Sequence, residues 1–268
     1  MEKNRIFEKD MVKDRVFEKS ANIEVALDDE NKVNLFTLLN GVNIDLYVFD
    51  YSKNNHIEIF VNEDSSLNLH ILSNRSDAEF NILANVNKNG VLNIYFADLT
   101  DTNMVINSHV ILLGDNSKST FKFASIANKN VKKSFNIGFD HLGVKTISDF
   151  EGYGVATNNG EIDAKGISHI EKNSIKSYAN QTVKVILFDK ESKAKASPTL
   201  KIDCDDIVAN HACGIGSLNE DHVFYLKSRG LSEEESRRLI TLGYLMPISN
   251  YFNEKGKNLI ETYVKENF

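Results

Sequence analysis

Between Ala21 and Ile202, polar and apolar residues alternate in one short run after another. NIEVAL, VNLFTLL, VNIDLYVF, HIEIFV, SLNLHIL, AEFNILANV, VLNIYFADL, NMVINSHVILL, STFKFASIA and KKSFNIGF carry this pattern. A period of two sends successive side chains to opposite faces, so each run predicts a strand with one buried face. Asn, Asp, Ser, Lys and Gly punctuate the runs. No long helical pattern interrupts them, which argues against βαβ units and a Rossmann sheet. Many short, evenly spaced strands suit a sandwich or barrel, or a β-solenoid. Asn-Gly, a strong hairpin signal, occurs at Asn40-Gly41, Asn89-Gly90 and Asn159-Gly160. That is sparse for so many strands and leans towards a solenoid. No clean fixed period shows.

After Ser217 the pattern changes to helical. Asn219 is placed to cap EDHVFYLKS, and Gly230 to stop it. Ser232 and Glu235 have the spacing of a capping box opening the next helix. Leu239, Ile240, Gly243 and Tyr244 share one face of that helix. Arg237 and Arg238 follow Glu233, Glu234 and Glu235 at three to four residues, which predicts an exposed acidic-to-basic face. Pro247 ends the helix, and NEKGKNLIETYVKENF forms a last amphipathic segment. The expected division is an N-terminal arm over 1–20, a β core over 21–216 and a helical domain over 217–268.

The 268 residues carry a formal net charge of -7, with 41% hydrophobic and 26% charged residues. An acidic balance gives no footprint for neutralising phosphates, so nucleic-acid binding is not expected. No apolar run is long enough to span a bilayer. The N-terminus has no uninterrupted apolar segment of the secretory kind. Two cysteines, Cys204 and Cys213, imply no disulfide framework, and a cytoplasmic location is expected. Asparagine is abundant, as AT-rich coding would produce, and it also suits turns.

His211 is the leading site candidate, because imidazole is a common metal ligand. Cys213 lies two residues on, so an extended strand sends both side chains to one side. A thiolate and an imidazole there suit a soft metal, although a free cysteine also packs readily in a core. The other histidines, His56, His70, His109, His141, His169 and His222, are scattered without ligand spacing. There is no H-E-x-x-H, C-x-x-C or G-x-S-x-G, and no G-x-x-x-x-G-K-[ST] phosphate loop. The chain is therefore not expected to hydrolyse ATP or to be an enzyme.

The stretch from Gly166 to Gly230 resembles one family. Gly166-Ile167 begins it. Ser177-Tyr178-Ala179-Asn180-Gln181 followed by Val185-Ile186-Leu187 is similar to an S-x-A-x-Q run and its apolar strand. Pro198-x-Leu200-x-Ile202 follows, then Asp205-Asp206-Ile207, His211 and Gly214-x-Gly216. Phe224-Tyr225-Leu226 and Ser228-Arg229-Gly230 close the pattern. Together these resemble the SufB/SufD proteins of iron–sulfur cluster assembly. Asn210 and Ala212 flank the histidine where SufB-like members carry glutamates, and no cysteine lies between Glu191 and Ala196. The chain is thus more similar to SufD than to SufB. Cys213 departs from the small residue usual at its position.

The resemblance implies a mainly β fold, a right-handed parallel β-helix with a small C-terminal α-helical domain. It implies a non-catalytic scaffold subunit pairing with a SufB-like subunit and a SufC-like ABC-type ATPase. A transient iron–sulfur cluster or iron would sit at the subunit interface near His211 and Cys213, with none held tightly by this chain alone. The helices would dock the ATPase. Phe224, Tyr225, Leu239 and Ile240 are expected to pack inward, leaving Tyr244, Leu245 and Met246 for partner contact. Two alternatives stay open: a sole homodimeric scaffold of the same family, and a solenoid that binds or processes carbohydrate.

Overall fold

The computed structural model describes residues 12–29, 32–73 and 76–266. The alternating runs form sixteen strands. One sheet holds β1 (Val12–Phe17), β3 (Val33–Leu38), β5 (Asn54–Val61), β7 (Ala78–Val86), β9 (Met104–Leu112), β11 (Lys132–His141), β13 (Glu161–Ile170) and β15 (Lys193–Ile202), in that order. The other holds β2 (Ala21–Leu27), β4 (Asn43–Tyr51), β6 (Ser66–Leu72), β8 (Val91–Asp98), β10 (Lys118–Ala127), β12 (Ile147–Ala156), β14 (Ser177–Leu187) and β16 (Ile207–Ser217). Neighbours within each sheet are parallel. Consecutive strands therefore alternate between two facing sheets, as the expected parallel solenoid requires. Residues 1–11 of the expected arm lie outside the described residues, and Val12–Phe17 pairs with β3 as the first strand.

The missing sequence period has a geometric cause. Val12 is in register with Val33, 21 residues on, whereas Lys165 is in register with Ser197, 32 residues on. The coils lengthen along the chain, so no single repeat length fits them. The corners account for part of the asparagine. Gly41, Asp64, Asn89, Asn116, Lys145 and Lys176 all have positive φ, between 55° and 75°. Each donates its backbone N–H to the same corner of the next coil, as in Asn89 to Asp115 and Asn116 to Val144. Asparagine tolerates that left-handed conformation better than most residues. Its side chains also form ladders along the outer surface, with Asn136 donating to Asn107 and Asn107 to Asn81.

The inward positions of both sheets make one continuous core. Phe36, Phe80, Phe96, Phe121, Phe123, Phe135, Phe139 and Phe150 are fully buried in it. Phe123 of one sheet stacks on Phe135 of the other at 3.9 Å. Burying such a ring contributes roughly 2–3 kcal/mol. A wholly buried pair, Lys133 and Asp98 at 2.7 Å, joins β11 to the end of β8.

Three helices follow, α1 (Glu220–Ser228), α2 (Glu233–Leu245) and α3 (Glu254–Glu266), with a 3-10 turn over Met246–Tyr251. The expected caps form. The Asn219 side chain accepts from the Asp221 N–H, and Ser232 and Glu235 make the reciprocal capping box. Glu233 pairs with Arg237 at 3.2 Å. These helices lie across the outer face of the sheet that contains β16. Their cluster joins Val223, Leu245, Ile248, Phe252 and Ile260 to Tyr95, Ala124, Val155 and Phe188. Arg237 donates to the Phe188 carbonyl at 3.0 Å, tying α2 to the loop after β14.

This placement corrects the expected helix faces. Val223 is the buried position of α1, and Ser236, Thr241 and Leu245 are those of α2, so residues between them such as Phe224, Tyr225 and Leu239 face away from the solenoid. Phe224 is 75% exposed, Tyr225 55% and Leu239 48%, the reverse of the inward packing expected for them. Ile240 does pack towards the solenoid. Leu245 is buried, and Tyr244 and Met246 lie partly buried against the same cluster. The periodicity reports an apolar stripe, but it cannot say which edge of that stripe meets the solenoid.

Candidate functional site at the open end of the solenoid

β15 and β16 end their respective sheets, and among the described residues no strand pairs with their outer edges. Unpaired edges of this length invite pairing with another chain. The helices leave them free, because they cover a face and not the end.

The register fixes where His211 and Cys213 point. In β14, Ala179, Gln181, Val183 and Val185 are the buried, inward positions. Their partners on β16 are Ala209, His211, Cys213 and Ile215. In-register neighbours in a parallel sheet share a side, so His211 and Cys213 face the interior of the solenoid. They are exposed only because no further coil covers them. On the opposite sheet, Ala194, Ala196, Pro198, Leu200 and Ile202 continue the inward positions of β13. The last rung is thus core-like in composition and uncapped, with one imidazole and one thiol set into it. Cys204 lies in the connection between β15 and β16, partly buried and unpaired with any disulfide partner.

One rung deeper sits Gln181, fully buried. Its Nε2 donates to Ser168 Oγ at 2.9 Å and to the Thr199 carbonyl at 3.1 Å. Its Oε1 is buried without a hydrogen-bond partner. Gly166 leaves room for the carboxamide, since a Cβ there would fall 2.6 Å from Oε1. The sequence marks Gln181 as part of a motif, but its burial beneath His211 emerges only from the register.

Tyr244, Leu245 and Met246, expected at a partner surface, lie at the seam between α2 and the solenoid. Tyr244 and Leu245 line a cavity of about 340 Å³ there, with Lys122, Glu151, Tyr153 and Tyr251. Tyr244 meets Tyr153 edge-on at 5.3 Å. Burial, with Tyr153 beside it, pushes the Tyr244 phenol up to about 12.

A second group of polar residues was not anticipated. His109, Asp140, His169, Glu171, Lys201 and Asp203 meet on the outer face of the other sheet. His169 is therefore not isolated, as its place in the sequence suggests. The strand register brings residues about thirty positions apart side by side.

The architecture is that of a parallel β-solenoid with helices packed on the outer face of one sheet. The model for the SUF system FeS cluster assembly SufBD core domain matches residues 18–244, and the chain belongs to that family. It is similar to the iron-sulfur cluster assembly protein SufD of Bacillus subtilis, 28% identical over 152 residues, which are 57% of this chain and 35% of that protein. It is also similar to an iron-sulfur cluster assembly SufBD family protein of Staphylococcus epidermidis, 24% identical over 196 residues, 72% of this chain and 42% of the relative. The chain spans less than half the length of these curated relatives. No helix among the described residues is long and apolar enough to cross a membrane.

Proposed function

We propose that the chain is a SufD-like, non-catalytic subunit of an iron–sulfur assembly scaffold. In this reading β15 and β16 pair with the matching edge of a SufB-like subunit. The nascent cluster or its iron is the cargo, handled at the seam where His211 and Cys213 face. The observation that carries the reading is the uncapped last rung, which sets an imidazole and a thiol into an otherwise apolar end beside an unpaired strand. A neutral imidazole and a thiolate are both ligands for iron in sulfur-rich sites.

The helical segment would couple the solenoid to an ABC-type ATPase. Phe224, Tyr225 and Leu239 supply the exposed apolar side chains for this contact, in place of the buried Leu245. A helix face laid into a groove is a common mode of recognition. ATP hydrolysis would belong to the partner, and its movements would reach the rung through α2 and Arg237.

A homodimeric scaffold is a second reading, favoured by Cys213. Two copies related by a two-fold axis would bring two imidazoles and two thiols to one seam. The carbohydrate reading loses its ground with the family assignment.

Co-purification with a SufB-like chain and an ABC-type ATPase, followed by native mass spectrometry, tests the proposal. A one-to-one complex of this chain with the SufB-like subunit is the expected result. Recovery of the ATPase with two copies of this chain would select the homodimer. Recovery of neither chain would overturn both readings.

A further inference from the structure

We propose that Lys13 and Arg15, turned inward on β1, bar strand pairing at the N-terminal end of the solenoid and so restrict association of this chain to the β15–β16 end. The inference rests on the geometry of the two ends and does not depend on the cluster-handling reading.

A solenoid has two ends. Among the described residues no strand pairs with the outer edges of β1 and β2, just as none pairs with those of β15 and β16. Edges open at both ends would let copies join head to tail, and a contact of that kind that does not close on itself grows into a fibre. A finite complex through one end requires that the other be blocked.

The first rung carries the block. Lys13, Arg15 and Phe17 are in register with Asn34, Phe36 and Leu38 of β3, which are buried inward positions. Those three are in turn in register with Ile57, Ile59 and Val61 of β5. One column of the interior thus runs Ile57, Asn34, Lys13, and the next runs Ile59, Phe36, Arg15. Polarity enters both columns only as the end is approached. The Arg15 guanidinium carbon lies 5.5 Å from the centroid of the Phe36 ring, and its Nη1 donates to Asn34 Oδ1 at 3.0 Å. Lys13 Nζ donates to Asp28 Oδ1 at 2.9 Å, reaching from β1 to the residue that follows β2.

A strand laid over this edge would bring its own inward side chains onto two cations, and burying charge without a new partner is costly. Partial burial already lowers the Arg15 pKa, against the nearby Asp28 carboxylate. Inward-pointing charges are one of the ways in which edge strands are protected from pairing. β2 adds a second device. Its pairing with β4 slips by one residue between Glu24 and Ala26, an irregularity of the kind that discourages strand addition. The opposite end has neither feature. The inward positions of β15 and β16 hold no lysine, arginine or carboxylate, and both strands keep an unbroken register with their neighbours.

The test is sedimentation velocity on the full chain and on a variant carrying Lys13→Val with Arg15→Leu. Whatever the mass of the wild-type species, the double variant is expected to form species of at least twice that mass, growing with protein concentration. Assembly should protect the amides of Val12–Phe17 from hydrogen exchange. Lys13→Arg with Arg15→Lys keeps the charges and should sediment as wild type. Circular dichroism and a cooperative urea transition report whether each variant is folded. Lys13→Val alone leaves Arg15 bonded to Asn34, and it should assemble in the same way but more weakly. A folded double variant that sediments as wild type would overturn the proposal. So would equal assembly of the charge-preserving variant, or larger species whose Val12–Phe17 amides stay unprotected.

Discussion

His211, on the last strand, is the register partner of Gln181, which is wholly buried one rung inside the solenoid. The same inward position is thus core in one coil and surface in the next. This relation leaves His211 and Cys213 exposed at inward positions of the terminal rung, so that in the proposed scaffold the chemistry of His211 is separable from its contribution to folding.

Because His211 and Cys213 are exposed, replacing them should barely affect stability. His211→Ala and Cys213→Ser are each expected to shift unfolding free energy by no more than about 0.5 kcal/mol, the range of ordinary surface changes. Cluster assembly by the complex should fall severalfold with His211→Ala. Urea unfolding and a cluster-transfer assay with an apo-ferredoxin acceptor check the two halves. Wild-type assembly by His211→Ala would remove it from the site.

The helix faces make opposite predictions for neighbouring residues. Leu245→Ala, at a fully buried position, should cost about 2–5 kcal/mol. Phe224→Ser should leave stability unchanged and reduce capture of the ATPase. Thermal unfolding and surface plasmon resonance against the purified ATPase measure these effects. Loss of several kcal/mol in Phe224→Ser would mean that α1 packs differently.

A lysine on the open edge should block pairing without disturbing the fold. Val208 is 56% exposed on β16, and edge lysines are a common defence against strand addition. Val208→Lys is expected to shift a complex or homodimer to monomer in sedimentation velocity. An undisturbed complex would place the interface elsewhere.

Stability should depend on pH through His70. It is 4% exposed and stacks on Tyr47 at 4.4 Å and Tyr95 at 5.2 Å, with Phe252 edge-on at 5.7 Å. Burial lowers its pKa from the usual value, with the Asp45 carboxylate opposing. The folded state therefore binds this proton less readily than the unfolded chain. The contribution is complete above about pH 6.5 and is lost as pH falls from there through the lowered value. His70→Phe should show a smaller stability loss than wild type between pH 7.5 and 5.5 in urea titrations. Equal losses would contradict this assignment.

Much of the architecture is legible in the sequence because strand alternation and helix caps are local. The runs from NIEVAL to KKSFNIGF, Asn219, Ser232 and Glu235 all take their expected roles. What stays hidden depends on register. Coils that lengthen from 21 to 32 residues erase any repeat, so nothing local brings Asp140 to His169 or Gln181 beneath His211. The helix faces were hidden for a related reason. Phe224 and Val223 are both apolar neighbours, and only the angle at which α1 meets the solenoid decides which is buried. Asparagine, legible only as an excess, becomes a set of left-handed corners and outer ladders once the coils are stacked.

The central claim is that the β16 edge is the surface joined to a related subunit. Hydrogen–deuterium exchange over Ile207–Ser217, with and without the SufB-like partner, tests it most directly. The account predicts rapid exchange at the outward-facing amides of β16 in the isolated chain and strong protection in the complex. A complex that forms while the exchange of β16 stays unchanged would contradict it.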